Sequence, residues 1–224
     1  MHNMKGIILD LCGGTGAWSL PYKEAGFDVR VVTLPDWDLN WHYIAYGEIE
    51  FYEGYMKQKI MNIKMKDVYG ILAAPPCTMF SLARTTAKEP RSLRLGMSLV
   101  EECVRIVWEI TKEHNISFWA MENPKGLLRK FMGKPAFEFD ASEFGCDYNK
   151  HTDLWGHFNQ PKKECLYKRY DSTYKNTRKL PDIPGDYKID DNMSGVAIKR
   201  SITPKGFAQA FYKANSNFKE PSSA

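Results

Sequence analysis

Two short segments carry side chains able to do covalent and acid–base chemistry. In Pro75-Pro76-Cys77-Thr78-Met79-Phe80-Ser81, two prolines fix the backbone immediately before a cysteine. A thiolate is the reactive form of cysteine, and a nearby cation such as Arg84 or a helix N-terminus favours it, so Cys77 reads as a candidate nucleophile. The competing reading is a buried structural thiol, the usual state of a free cysteine and the one expected for Cys12, Cys103 and Cys165. In Glu122-Asn123-Pro124, an acid emerges from the apolar run Phe118-Trp119-Ala120-Met121. Desolvation there raises a carboxyl pKa and makes Glu122 a candidate proton donor, and Pro124 keeps Asn123 extended. An exposed carboxylate at a strand end is the alternative. A third segment, Asp10-Leu11-Cys12-Gly13-Gly14-Thr15-Gly16, has the glycines that let backbone approach a nucleotide-like ligand at the start of a helix. It lacks the Lys-Ser/Thr of a phosphate-cradling loop, and glycines needed only for strand–helix packing would read the same way.

These segments need a frame, and the apolar pattern supplies one. Strands are expected over Lys5–Leu11, Asp28–Leu34, Val68–Ala74 and Ile116–Met121. Helices are expected over Ala17–Ala25, stopped by Gly26, and over Leu95–His114, where Leu95, Leu99, Val100, Cys103, Val104, Val107 and Ile110 recur at helical spacing. Residues 39–60, rich in Tyr, Glu and Ile, are expected to be largely helical. Thr203-Pro204 reads as an N-cap and first helical residue for a closing helix whose apolar face carries Phe207, Ala208, Ala210, Phe211 and Ala214. Alternating strands and helices imply an α/β fold: a mostly parallel sheet with helices on both faces. The glycine loop, the Pro-Pro-Cys turn and Glu-Asn-Pro then gather at the carboxyl ends of the strands, where such sheets bind ligands.

The 224 residues, 43% apolar and 26% charged, suit one such core and exclude a disordered or collagen-like chain. No apolar run is long enough to cross a bilayer, and the first residues lead directly into a strand-like run, so a cytoplasmic protein without a signal peptide is the expectation. Five scattered cysteines without a C-x-x-C pair point to a reducing compartment. The net charge is +4, but residues 160–205 alone carry a surplus of 5 positive charges, leaving the rest at −1. A basic segment on a near-neutral body suits a polyanionic partner, or is a solvated loop region.

Taken together, Leu9-Asp10-Leu11-Cys12-Gly13-Gly14-Thr15-Gly16, Pro75-Pro76-Cys77-Thr78-Met79-Phe80-Ser81 and Met121-Glu122-Asn123-Pro124, in that order, resemble the DNA (cytosine-5)-methyltransferase family over roughly the first two-thirds of the chain. The resemblance implies a Rossmann-like class I methyltransferase fold and S-adenosylmethionine as cofactor. It also implies that Cys77 adds to carbon 6 of cytosine while Glu122 bonds or protonates ring nitrogen 3, so that carbon 5 can accept a methyl group. Double-stranded DNA, with its target cytosine flipped out, is the implied partner. Cofactor contacts would come from Gly14, Thr15, Gly16, Asp36, Trp37, Asn62 and Pro76. Substrate contacts would come from Ser81, Arg84, Asn123, Lys150 and Arg200.

The chain departs from the family at several points. Cys12 replaces a Phe, Glu-Asn-Pro replaces Glu-Asn-Val, and Lys150-His151-Thr152-Asp153-Leu154-Trp155-Gly156 stands where the family has a Gln-x-Arg-x-Arg strand. The organisation expected is a cofactor-binding catalytic part over 1–158, a short basic target-recognition lobe over 159–198 and a returning helix with a frayed tail over 199–224. Tyr167, Tyr170, Tyr174 and Tyr187 in that lobe suit base stacking. Rival readings are the same chemistry on RNA or a free nucleotide, a catalytically silent nucleic-acid-binding protein, and a zinc site from Cys146, His151, His157 and Cys165, whose spacing matches no tight motif. No metal is expected.

Overall fold

The apolar run after Lys5 forms β1 (Ile7–Leu11), whose last four residues are all buried, as a strand covered on both faces requires. The chain then turns through the glycine loop into α1 (Leu20–Glu24). This helix is shorter than expected because residues 17–19 are still turning and Pro21 sets the φ of its first turn. Gly26, at φ +87, ends it, and β2 (Asp28–Val32) returns parallel to β1. The computed structural model describes residues 5–53, 59–82, 89–146, 148–163, 181–182 and 195–216, apart from the side chains of 195–197.

Residues 39–60 are not the expected helix. They contribute to β3 (His42–Ala45), β4 (Glu48–Tyr52) and β5 (Ile60–Lys64), a separate antiparallel sheet. The reason is a period of two: Ile49, Phe51, Met61 and Ile63 are buried, and the residues between them turn outward. Tyr46 and Gly47, at φ +52 and +76, make the two-residue hairpin turn whose handedness matches strand twist.

Next come β6 (Val68–Ala73), α2 (Leu93–Thr111) and β7 (Phe118–Pro124). Ser92 caps α2 by accepting a hydrogen bond from the Leu95 amide at 3.3 Å. The buried stripe of α2 is Gly96, Val100, Cys103, Ile106, Val107 and Ile110, so Leu95 and Val104, expected inside, face outward. β7 runs through Pro124, three residues beyond its expected end, because it pairs with a strand the sequence reading did not define. That strand follows α3 (Arg129–Met132) and β8 (Phe137–Asp140) and is β9 (His151–His157). α4 (Gly195–Ser201) and α5 (Lys205–Asn215) close the described chain, with Pro204 at the N-cap of α5 instead of Thr203.

The main sheet has the order β2-β1-β6-β7-β9-β8; its first four strands are parallel and β9 and β8 antiparallel. Leu9, Leu11, Ile71, Ala73 and Met121 face α2 and the small sheet. Ile8, Leu72, Phe118, Ala120 and Leu154 face α1 and α5, where Phe207 stacks on Phe139 at 4.1 Å. This is the expected mostly parallel α/β, Rossmann-like arrangement with helices on both faces. Among the described residues no helix is long and apolar enough to cross a membrane. Most of 159–198, including Cys165 and the four tyrosines, lies outside the described residues, as do Arg84 and the tail after Ser216.

Candidate active site

Cys77 is half-buried in the turn that follows β6. The Phe80 and Ser81 amides both donate to the Cys77 carbonyl at 2.9 Å, closing the turn. Fully buried Phe80 anchors it, and Leu127 donates to the Phe80 carbonyl at 2.9 Å. Ser81 bridges to Gly126, whose missing side chain is required because a Cβ there would collide with the Phe80 carbonyl. Arg91 clasps the same turn, donating to the carbonyls of Met79 at 3.0 Å and Ser81 at 2.7 Å. The exposed Pro76 and half-buried Ser81 thus flank a cysteine whose backbone is fixed from three sides.

The turn is also tied to β7. Asn123, fully buried, donates its side-chain amide to the Pro75 carbonyl at 2.8 Å. One residue earlier, Glu122 is 8% exposed and its Oε1 accepts from Lys150 Nζ at 3.1 Å. Lys150 is held just before β9: its amide donates to Asp140 at 3.3 Å and its carbonyl accepts from Thr152 Oγ1 at 3.2 Å. Cys77, Glu122, Asn123 and Lys150 are therefore brought together. Burial, and then the Glu122 carboxylate, push the Cys77 thiol above its ordinary value, while the Lys150 ammonium pulls it down. The lowered thiol expected from sequence is not found, because a carboxylate and removal from water outweigh the cation.

The glycine loop follows β1 at the same edge of the sheet, with left-handed backbone at Cys12, Gly14 and Gly16. Gly14 has open space where a side chain would project, whereas Gly13 packs directly on the carboxyl group of Asp10. Asp36 and Trp37 lie in the turn after β2; Asp36 is half-buried, and Trp37 packs its ring against the core while its amide donates to Thr33 at 2.8 Å. Gly14, Thr15, Gly16, Asp36 and Trp37 therefore share the carboxyl ends of β1 and β2. Asn62 does not join them. On β5 its side chain alternates with buried Met61 and Ile63, points away from the main sheet and donates to Glu48 at 2.8 Å.

Arg200 is exposed on α4, and none of the described contacts ties it to Cys77 or Glu122. His151 pairs with Asp140 at 3.2 Å, and the described residues contain no group of three or more His, Cys, Asp or Glu side chains arranged to hold a metal. Three contributors went unread in the sequence. Arg91 clasps the nucleophile turn, and Arg129 on α3 makes a two-pronged ion pair with buried Asp153 of β9. Asp10, 0% exposed, accepts from Ser19 Oγ at 2.5 Å. Only Asp10 left a signal: it shares the buried face of Ile8, two residues earlier.

Residues 7–156 match the family model described as C-5 cytosine-specific DNA methylase. No curated protein matches the chain.

Proposed function

Because the chain belongs to the C-5 cytosine-specific DNA methylase family, whose chemistry is methyl transfer, we propose that it methylates carbon 5 of cytosine in DNA, with Cys77 as nucleophile and Glu122 as its acid partner. The observation that carries this reading is the convergence of a half-buried thiol, a nearly buried carboxyl and an ammonium at the carboxyl ends of β6 and β7. Carbon 5 of cytosine is a poor nucleophile until addition at carbon 6 breaks the ring's conjugation. The Cys77 thiol passes its proton to the Glu122 carboxylate, the sulfur forms the bond to carbon 6, the displaced electron pair moves toward nitrogen 3, and Glu122 hands that proton on to the nitrogen. The thiol starts above its ordinary value because of burial and, after that, the neighbouring carboxylate. A base that hydrogen-bonds Glu122 spreads that negative charge and so favours the thiolate as it arrives. Lys150 holds Glu122 Oε1, which leaves the second oxygen to the ring. After methyl transfer, loss of the carbon 5 proton to water and then of the Cys77 sulfur, with the nitrogen 3 proton returning through Glu122 to the departing thiolate, restores the aromatic ring and the enzyme.

Gly14, Thr15, Gly16, Asp36, Trp37 and Pro76 would hold S-adenosylmethionine, which would supply the methyl group. Asp36 would take the ribose hydroxyls and Trp37 the adenine face. The target cytosine must leave its stack to reach a thiol at the bottom of a turn. Ser81, Arg84 and Arg200 are proposed to contact the substrate, and Asn123, fully buried, to act through the cysteine turn that it ties to β7. The sequence of 159–198 provides the basic and aromatic residues for a short target-recognition lobe.

The test is covalent capture. With S-adenosylmethionine and DNA containing 5-fluorocytosine, whose carbon 5 cannot release a proton, the chain should form a stable adduct that maps to Cys77 and vanishes in Cys77→Ala. Matched RNA and free 5-fluorocytidine nucleotide run beside it. Capture by RNA alone would move the substrate, and no adduct with any of the three would sink the proposal.

A further inference from the structure

Beneath the glycine loop lies a buried hydrogen-bond chain that this chemistry does not use. Asp10 is enclosed on β1 between Val31 of β2 and Leu72 of β6. Ser19 Oγ lies 2.5 Å from its Oδ2 and 3.2 Å from the Gly16 carbonyl oxygen. Asp10 Oδ1 has no hydrogen-bond partner among the described residues, and Gly13 covers the carboxyl so closely that a Cβ would collide with it.

A hydroxyl has one proton to give and can also accept, so Ser19 serves only one of its two oxygen neighbours as donor at a time. With Asp10 ionised, a charge-assisted bond draws the Ser19 proton to Oδ2. With Asp10 protonated, the carboxyl becomes the donor, Ser19 Oγ accepts, and the Ser19 proton turns to the Gly16 carbonyl. We propose that Asp10 and Ser19 are positioning residues of the glycine loop: the proton on Asp10 decides whether Ser19 grips Gly16, and so how firmly the loop is set for an S-adenosyl ligand.

The exchange falls in the neutral range. Burial, partly offset by the Ser19 hydrogen bond, pushes the Asp10 carboxyl up to about 7. The charged residues of the elements packed around it stand away: Arg30 of β2 is paired with Asp28, and Lys23 and Glu24 of α1 and Lys205 and Lys213 of α5 are exposed. Of the tyrosines nearby, Tyr69 and Tyr212 are half-buried, and Tyr22 is kept protonated by burial. Cys12 packs on the opposite face of the sheet, beside Cys103.

The inference rests on the proposed function only for the identity of the ligand; the hydrogen-bond exchange belongs to the free chain. The experiment follows the carboxyl carbon of Asp10 and the carbonyl carbon of Gly16 by NMR in the full, ¹³C-labelled chain, between about pH 5.5 and 8.5. In the wild type both carbons should titrate with one midpoint. In Ser19→Ala Asp10 should still titrate while Gly16 stays still. S-adenosylhomocysteine then serves as the binding probe. Its affinity should fall about fivefold as pH rises through the midpoint in the wild type, the scale of one hydrogen bond. Asp10→Asn, whose amide donates to Ser19 at every pH, should hold the tight value throughout, and Ser19→Ala the weak one. If Asp10→Asn does not fold, Ser19→Ala carries the comparison. A Gly16 carbon that stays still while Asp10 titrates, or an Asp10 that does not titrate in this range, overturns the exchange. A wild type that never binds S-adenosylhomocysteine counts against the proposed function, and the carbon shifts still decide the exchange.

Discussion

Replacing Asp10 by Asn isolates what it costs to keep a carboxyl group where water cannot reach it. Burial carries Asp10 from 3.8 to about 7, so the folded chain holds a proton that the unfolded chain has released. Between those two values the native state binds more protons, and stability must fall as pH rises, the reverse of a salt-bridged carboxylate. Each pH unit of separation corresponds to about 1.4 kcal/mol, so the full displacement of roughly three units amounts to about 4 kcal/mol once both states are ionised. About 1 kcal/mol of it falls between about pH 6 and 7, and about a third of that in the next unit, as Asp10 itself ionises. Urea unfolding of the wild type and Asp10→Asn at about pH 6, 7 and 8 provides the assay, because the difference between the two chains cancels every other titrating group. Relative to the variant, the wild type should lose about 1.4 kcal/mol over that range. A difference that stays flat, or that moves in favour of the wild type as pH rises, would refute the claim that the fold keeps this acid protonated.

Glu122→Gln removes the carboxylate that raises the Cys77 thiol, and Lys150→Met removes the cation that lowers it; the pH profile of iodoacetamide alkylation at Cys77 should therefore move down in the first variant and up in the second. Shifts of the same sign in both would show that neither charge acts on the sulfur. Gly126→Ala drives a methyl group into the Phe80 carbonyl and should cost about 1–3 kcal/mol in urea unfolding, the usual range for overpacking. The same change should slow methyl transfer about a hundredfold if the cysteine turn shifts by about 1 Å. Unchanged transfer in a destabilised variant would mean that the turn does not depend on its dock against β7.

The parallel half of the main sheet was legible because each of its strands is a short, continuous apolar run, and such runs have few other places to go. Glu122 and Cys77 were legible for a related reason: each sits where an apolar run meets proline. The small sheet was not. Its strands show a period of two only once Ile49, Phe51, Met61 and Ile63 are known to be inside, and the intervening Tyr and Glu residues fit a helix equally well. β9 was hidden because its inward residues include Thr152 and Asp153, polar side chains buried only because Lys150 and Arg129 supply the partners, Thr152 bonding the Lys150 carbonyl and Asp153 the Arg129 guanidinium. Asn62, assigned to the cofactor from the family's Asp-Ile position, lies on the outward face of β5 and bonds Glu48, a placement that depends on that unrecognised strand. Arg91 had no signature, since its role depends on two carbonyl groups that meet only in the folded turn.

Asp10 and Glu122 have the same chemistry and opposite surroundings, and the contrast separates their roles. Both lie near the carboxyl end of a central strand and on the same face of the sheet, as the alternation through Ile8 and through Phe118 and Ala120 shows. Glu122 has an ammonium at 3.1 Å and keeps 8% of its surface exposed. Asp10 has a hydroxyl, no counter-charge and no opening. A ligand can exchange a proton only with an acid it can reach, so the proposed reaction calls on Glu122, and Asp10 can act only on the chain itself. It follows that Lys150, which lies just before β9 and is held there by Asp140, gives Glu122 the buried ion-pair partner that Asp10 lacks.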